Sequence, residues 1–210
     1  DGFRFDLMGI LDVDTINIIE KEVRNIKRDA LLLGEGWDLQ TQLPLEEKAT
    51  LNNAQKMPHI AQFNDKFSDG TKGSTFHINK RGFAFGGYVD CNHLQYIASG
   101  SLLSMKETGL VLEPVQSINY GEGHDNMTMW DKLMRSNEES EEILKKRHVL
   151  ATAMVILSQG IPFLHAGQEF YRTKQGNENS YNANDETNQL DWDRKEKEIE
   201  TVNYIKGLIA

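Results

Sequence analysis

Hydrophobic positions along the chain follow two periods. Over Gly2–Met8, Phe3, Phe5 and Leu7 share one parity, while Arg4, Asp6 and Met8 share the other. A strand of period two therefore sends the apolar side chains to one face and both charges to the other. Behind the cap candidates Asp12 and Asp14, Ile16, Ile19, Val23 and Ile26 recur at helical spacing. "ALLLGEGWD" then predicts a second buried strand ending in glycines, and "IAQFND" a third short one. Between them, Thr41 to Met57 reads as a polar connection without a core stripe. Gly70 to Gly87 reads as a long loop, and "CNHLQYIASGSLL" resumes a helical pattern. "PVQSINYGEGHDN" predicts a fourth strand, followed by a helical run from about Glu138 to Gln159 that Gly160 ends. "IPFLHAG" predicts the fifth strand, before an Asn-rich loop and a last helical turn near Val202 to Leu208. Strands alternating with helices imply right-handed crossovers and a parallel sheet, so the expected class is α/β.

Composition narrows the partners. With 210 residues, 39% hydrophobic and 26% charged, the chain has the profile of a soluble globular domain. Its longest apolar runs, such as Met154 to Leu157, fall far short of the ~20 residues of a membrane span, and no signal peptide lies in this window. Membrane is therefore not expected as a partner, and localisation stays open between cytoplasmic and secreted. The net charge of −9 argues against a nucleic-acid backbone. A neutral ligand fits better. Cys91 is alone, which leaves no disulfide framework, and His59, His77, His93, His148 and His165 lack the spacings of zinc sites and read as structural or surface residues. No metal site is expected, and a structural metal ion is left open.

A short echo carries the candidate chemistry: "GEGWD" at Gly34 to Asp38 and "GEGHD" at Gly121 to Asp125, each at the end of a predicted strand. The C-terminal ends of parallel strands are where ligands bind. Three such ends present carboxylates, namely Asp6, then Glu35, then Glu122 with Asp125. A pair of carboxyls at one site is what retaining glycoside hydrolysis needs, one attacking the anomeric carbon and the other protonating the leaving oxygen. Arg4, on the same face as Asp6, is expected to keep it ionised as a nucleophile. Glu35, after "LLLG" and beside Trp37, is expected in a more apolar setting suited to an acid. For any single strand-end acid the alternative is a helix cap or a surface ion pair. Charged residues on the inner face of a strand, however, seldom persist without partners.

"GFRFD" at Gly2 to Asp6, "GEGWD" and "HDN" at His124 to Asn126 resemble, in this order, the fourth, fifth and seventh strand motifs of the α-amylase superfamily, glycoside hydrolase family 13. "FNDKFSDGTKG", "SINYGEGHDN", "GIPFLHAGQEF" and "NSYNANDETNQLDW" are most similar to the type I pullulanases within it. The resemblance implies Asp6 as nucleophile, Glu35 as general acid and base, and Asp125 as the third carboxylate that steadies the oxocarbenium-like transition state. It implies Arg4 orienting Asp6, His124 donating to sugar hydroxyls with Asn126 beside it, and Glu122 in a supporting or structural role. Trp37 is a candidate to stack on a sugar ring or to pack beside the strand end. Asp185 and Asn188 are candidates to bind glucose hydroxyls or to form an ordinary Asn-rich turn. No cofactor is required for this chemistry.

That family's barrel has eight strand-helix units, and this chain is expected to hold approximately strands 4 to 8 as a partial (β/α)8 TIM barrel spanning 1–210. The N-terminal units and flanking domains are expected to be absent, so that the chain is a piece of a larger enzyme. The implied function is hydrolysis of α-1,6-glucosidic branch linkages in pullulan, amylopectin and limit dextrins, with an α-glucan polysaccharide or oligosaccharide as the partner. The isolated piece is expected to be inactive and to self-associate or pair with the missing half-barrel. Alternatives are another debranching or α-1,4-acting member of the superfamily, or a non-catalytic α-glucan-binding fragment.

Overall fold

A computed structural model describes residues 2–105 and 109–210. Five strands, β1 (Gly2–Phe5), β2 (Leu31–Gly34), β3 (Ala61–Phe63), β4 (Ser117–Tyr120) and β5 (Ile161–Phe163), form one parallel sheet in the order β1-β2-β3-β4-β5. Sequential order in a parallel sheet, with helices in the crossovers, is the topology of consecutive units of a (β/α)8 barrel. The register pairs Arg4 with Leu33, Gly34 with Gln62 and Phe63 with Ile118.

The chain divides into two compact units. The first comprises the chain up to Asn64 with Ala98–Ile118 and Gln159–Ile161. Here α1 (Val13–Ile26) starts where Asp12 caps it, its side chain accepting from the Thr15 amide at 2.7 Å and the Thr15 hydroxyl at 2.8 Å. Those bonds hold the Asp12 carboxyl below the usual carboxylate range. Val13 and Ile16 pack with Met8, Leu32, Ala49, Met57 and Ile60. The predicted stripe is shorter than expected at its end, for Ile26 is 91% exposed. The connection from Thr41 to Met57 does hold core residues: Leu51 and Ala54, on a 3₁₀ turn over Leu51–Lys56, pack with Leu110 and Val111. With Ala49 and Met57, which pack under α1, they are too sparsely spaced in a polar stretch to leave a periodic trace.

The second unit comprises Asp65–Ile97, Asn119–Ser158 and Pro162–Ala210. It holds α2 (Asp65–Lys72), α3 (Cys91–Ala98, all but its last residue), α4 (Met129–Ser136), α5 (Glu141–Leu157), α6 (Asp185–Asn188), α7 (Trp192–Lys197) and α8 (Ile199–Ile209). The sequence pattern does not predict α2, because its buried face is built from Phe67 and from Ser68, Gly70 and Thr71, small residues that hydrophobic periodicity ignores. Gly70 packs closely there, since a Cβ would lie 2.6 Å from Ile97 Cδ1 and displace that side-chain end. Helix α4 precedes the helical run expected from about Glu138; Thr128 caps it by accepting from the Asp131 amide, and Met129, Trp130 and Leu133 bury its inner face against Phe85, Leu144 and Tyr171. The expected last turn is the longer α8. Within the Gly-rich stretch Gly70 to Gly87, the buried Lys132 ammonium of α4 donates to the carbonyls of Ser74 at 2.9 Å and Ile78 at 3.1 Å. A cation from a neighbouring helix thus orders a segment that lacks a ladder of its own.

His148 of α5 is fully buried between the rings of Trp130 and Tyr171, and its Nε2 has no hydrogen-bond partner. Burial pulls its pKa down to about 4 from 6.5, against the attraction of Glu122. The unfolded chain therefore binds a proton between those values that the folded chain refuses. The stability this group contributes is complete above pH 6.5 and is lost as pH falls to 4, a change of about 3 kcal/mol. Urea midpoints should fall across that window, and His148→Phe should flatten the fall; an equally steep fall in the variant would assign the acid lability elsewhere.

Candidate active site

In the first unit the charges at the ends of β1 and β2 are joined by one guanidinium. Arg4 Nη1 lies 2.7 Å from Asp6 Oδ1, and Nη2 lies 2.5 Å from Glu35 Oε1. The guanidinium also lies over the ring of Phe63, 5.8 Å from its centroid. Arg4 leaves β1 on the opposite side from Phe3 and Phe5, as strand parity predicts. The strand is shorter than expected, however. It ends at Phe5, and Leu7 takes a left-handed conformation at φ 46°, which turns the chain out of the ladder.

That turn builds the site. The Leu7 amide donates to Glu35 Oε2 at 3.2 Å, the Gly9 amide to the Glu35 carbonyl at 3.1 Å, and the Glu35 amide to the Phe5 carbonyl at 3.1 Å. Glu35 is thus held through side chain and backbone. The apolar setting expected for it is not what the fold provides: both of its carboxylate oxygens face donors, and one of these is a cation. The two acids differ in solvent access instead, with the Glu35 side chain 10% exposed and that of Asp6 62% exposed. Two glycines allow the close approach. A Cβ at Gly9 would collide with the Trp37 carbonyl, and one at Gly36 would lie 2.6 Å from the Leu51 amide nitrogen and against the Gln62 side chain. Trp37 is half-buried, and Asp38 binds the buried Lys48 ammonium at 2.8 Å, which fixes the loop that follows.

In the second unit the chain beyond β4 presents His124 and Asp125, both exposed, with His124 Nε2 3.5 Å from Asp125 Oδ1. Asn126 follows at φ 62°, a left-handed position that asparagine tolerates better than most residues. Glu122, by contrast, is buried; its Oε2 accepts from the Met129 amide at 2.5 Å and its Oε1 faces His165 Nδ1 at 3.0 Å. The second "GEG" therefore spends its glutamate on structure. Asp185 is exposed in the first turn of α6, and the Asn188 amide nitrogen donates to the Ser180 carbonyl at 2.8 Å, organising its own loop.

Residues that sequence reasoning passed over lie close by. Lys72 is buried, with its ammonium 5.9 Å from the centroid of the Tyr120 ring at the end of β4, and burial pulls it down to about 8 against the attraction of Asp69 and Glu122. His165, set aside with the other histidines, bridges Glu122 and Arg172, and Lys174 reaches the His124 backbone. None belongs to a periodic pattern. For His165, Arg172 and Lys174 the one signal is the density of hydrogen-bonding side chains in "HAGQEFYRTKQG". Among the described residues no group of three or more His, Cys, Asp or Glu could hold a metal ion, and no helix is long and apolar enough to cross a membrane.

No family model matches the chain. It is 50% identical over its whole length to the pullulanase of Bacillus subtilis strain 168, of which it spans 29%. Among solved structures it is similar to the Anoxybacillus sp. LM18-11 pullulanase complexed with maltotetraose, at 54% identity and TM-score 0.93, covering 100% of this chain and 30% of that one. The type I pullulanase of Bacillus subtilis str. 168 complexed with maltose matches at 50% identity and TM-score 0.95, with the same coverage. The five parallel strands are part of a barrel of the kind these neighbours contain.

The close approach at Gly36 is testable apart from any activity. Gly36→Ala places a methyl group against backbone and a buried side chain, and should cost ~1–3 kcal/mol in denaturant unfolding. Gly123→Ala, whose Cβ would meet nothing within 4 Å, serves as the neutral control. Equal midpoints for the two variants would refute the packing argument.

Proposed function

We propose, from its similarity over its whole length to pullulanases of which it spans under a third, that the chain carries the catalytic carboxylates of an α-amylase-superfamily enzyme hydrolysing α-1,6 branch linkages in α-glucans with retention. The observation that supports this reading best is the pairing of Asp6 and Glu35 on one guanidinium, at the ends of two adjacent parallel strands. Asp6 attacks the anomeric carbon as the glycosidic bond breaks, and Glu35 gives its proton to the departing oxygen. Glu35 then takes a proton from water, which attacks the same carbon and releases Asp6. Two inversions return the original anomer. Arg4 holds the attacking oxygen in place through a charge-assisted hydrogen bond of 2.7 Å. Asp125 stabilises the oxocarbenium-like transition state, while His124, Asn126, Trp37, Asp185 and Asn188 contact the glucan. That relatives are solved with maltose and maltotetraose supports an α-glucan as the ligand.

The test uses the Bacillus subtilis pullulanase carrying this chain in place of its matching segment. Asp6→Asn and Glu35→Gln should each lower release of reducing sugar from pullulan, Glu35→Gln by ~10²–10⁴-fold. An α-glucosyl donor with an activated leaving group needs no protonation, so Glu35→Gln should recover its glycosylation rate on that donor and Asp6→Asn should not. Equal losses on both substrates would contradict the two roles. Comparison of pullulan with a linear α-1,4-glucan separates debranching from α-1,4 cleavage.

A second expectation concerns the 210-residue chain expressed alone. Beside β1, a groove of about 440 Å³ is lined by Gly2, Phe3, Val23, Ile26, Lys27 and Ala30, with Phe3 59% exposed. Strand β1 ends the sheet order and has one unpaired side. An apolar groove beside free backbone donors favours a second copy of the chain. Sedimentation should show dimers or larger species; a monomer at micromolar concentration would rule this out.

A further inference from the structure

The segment after β5 sends Arg172 and Lys174 to irregular backbone on either side of it, with His165 set between Glu122 and Arg172. His165 Nδ1 lies 3.0 Å from Glu122 Oε1, and its Nε2 lies 3.1 Å from Arg172 Nη1. A guanidinium has donors only, so Nε2 must accept and the ring proton must sit on Nδ1, donated to Glu122. The two ring contacts thus have opposite polarity. Arg172 in turn donates through Nη2 to the Asn188 carbonyl at 2.6 Å and through Nη1 to the Ala166 carbonyl at 3.2 Å. Lys174, 1% exposed, donates from Nζ to the His124 carbonyl at 2.8 Å. Its own backbone is anchored in turn, for Asp131 accepts from the Lys174 amide at 2.8 Å and from the Thr173 hydroxyl.

These bonds are costly to build. Burying an ammonium carries a desolvation penalty, which here pulls Lys174 below the usual lysine range while Glu122, Asp125 and Asp131 oppose the shift. A lysine whose sole task was packing would be better replaced by an apolar residue of similar volume. The ammonium is directed at the one carbonyl immediately before Asp125, and the guanidinium at the carbonyl of Asn188. Both targets are backbone atoms of segments that carry proposed glucan-contacting groups.

We propose that His165, Arg172 and Lys174 are positioning residues that clamp the His124–Asp125 loop and the Asp185–Asn188 turn in the geometry the glucan requires. The clamp rests on the roles assigned to Asp125 and Asn188 above. Lys174 acts on the loop whose carboxylate serves the transition state, so its loss should appear in kcat. His165 acts through Arg172 on the turn that contacts bound sugar, so its loss should appear in KM.

The same grafted enzyme tests this. Lys174→Met keeps the aliphatic stem and removes the donor; it should lower kcat on pullulan by ~10–100-fold with KM changed less than about threefold, as expected for a small displacement of a reacting group. Lys174→Arg should recover at least about a tenth of the wild-type kcat. His165→Gln presents an amide oxygen near the place of Nε2 and should keep KM within about twofold. His165→Asn cannot reach Arg172 and should raise KM by ~3–10-fold at unchanged melting temperature. Wild-type kcat in Lys174→Met, with Asp125→Asn inactive, would overturn the clamp and leave the catalytic assignment standing. An active Asp125→Asn would instead remove the assignment on which the clamp rests. Should Lys174→Met not fold, equal KM in the two His165 variants overturns the proposal.

Discussion

One guanidinium decides how the first unit is built. Arg4 stands between Asp6 and Glu35, 2.7 Å from one carboxylate and 2.5 Å from the other. Without it, two acids at adjacent strand ends would repel each other, one of them in a buried position. With it, each has a charge-assisted bond of defined direction, because a planar fork fixes two acceptors at once. The local backbone follows from this arrangement. The left-handed turn at Leu7 delivers an amide to Glu35, and the glycines at 9 and 36 let the Trp37 and Leu51 backbones close in around it.

The second unit solves a related problem with buried and half-buried cations. Its loops have few ladder bonds, and their carbonyls are satisfied by ammonium and guanidinium groups sent from neighbouring segments: Lys132 to Ser74 and Ile78, Lys174 to His124, Arg172 to Asn188. Each cation carries a desolvation penalty that an aliphatic residue would avoid. What the penalty secures is direction, since an irregular segment held at a single backbone atom keeps its side chains oriented without being packed away from solvent. His124 and Asp125 accordingly remain exposed beside a buried Lys174.

The limits of periodicity are visible in particular elements. All five strands and helices α1 and α5 announce themselves, because each carries apolar or aromatic residues at the spacing of its own geometry. Helix α2 does not, for its own buried face carries Ser68, Gly70 and Thr71, and α4 follows directly on a motif of irregular backbone. The charge pattern of β1 was legible as a two-faced strand. Its early end at Phe5 was not, because the turn at Leu7 is stabilised by bonds to residues almost thirty positions away.

By itself the sequence determined the strand-helix alternation, the class, and the order in which Arg4, Asp6, Glu35, His124 and Asp125 appear, since local periodicity and motif spacing are properties of neighbouring residues. Only the tertiary structure decided what each charged group is spent on. The two "GEG" stretches are alike in sequence, yet Glu35 faces Arg4 while Glu122 is buried on Met129 and His165. The reason is physical: whether a carboxylate stays available or is consumed depends on which donors the fold brings within about 3 Å of it, and those donors lie far along the chain.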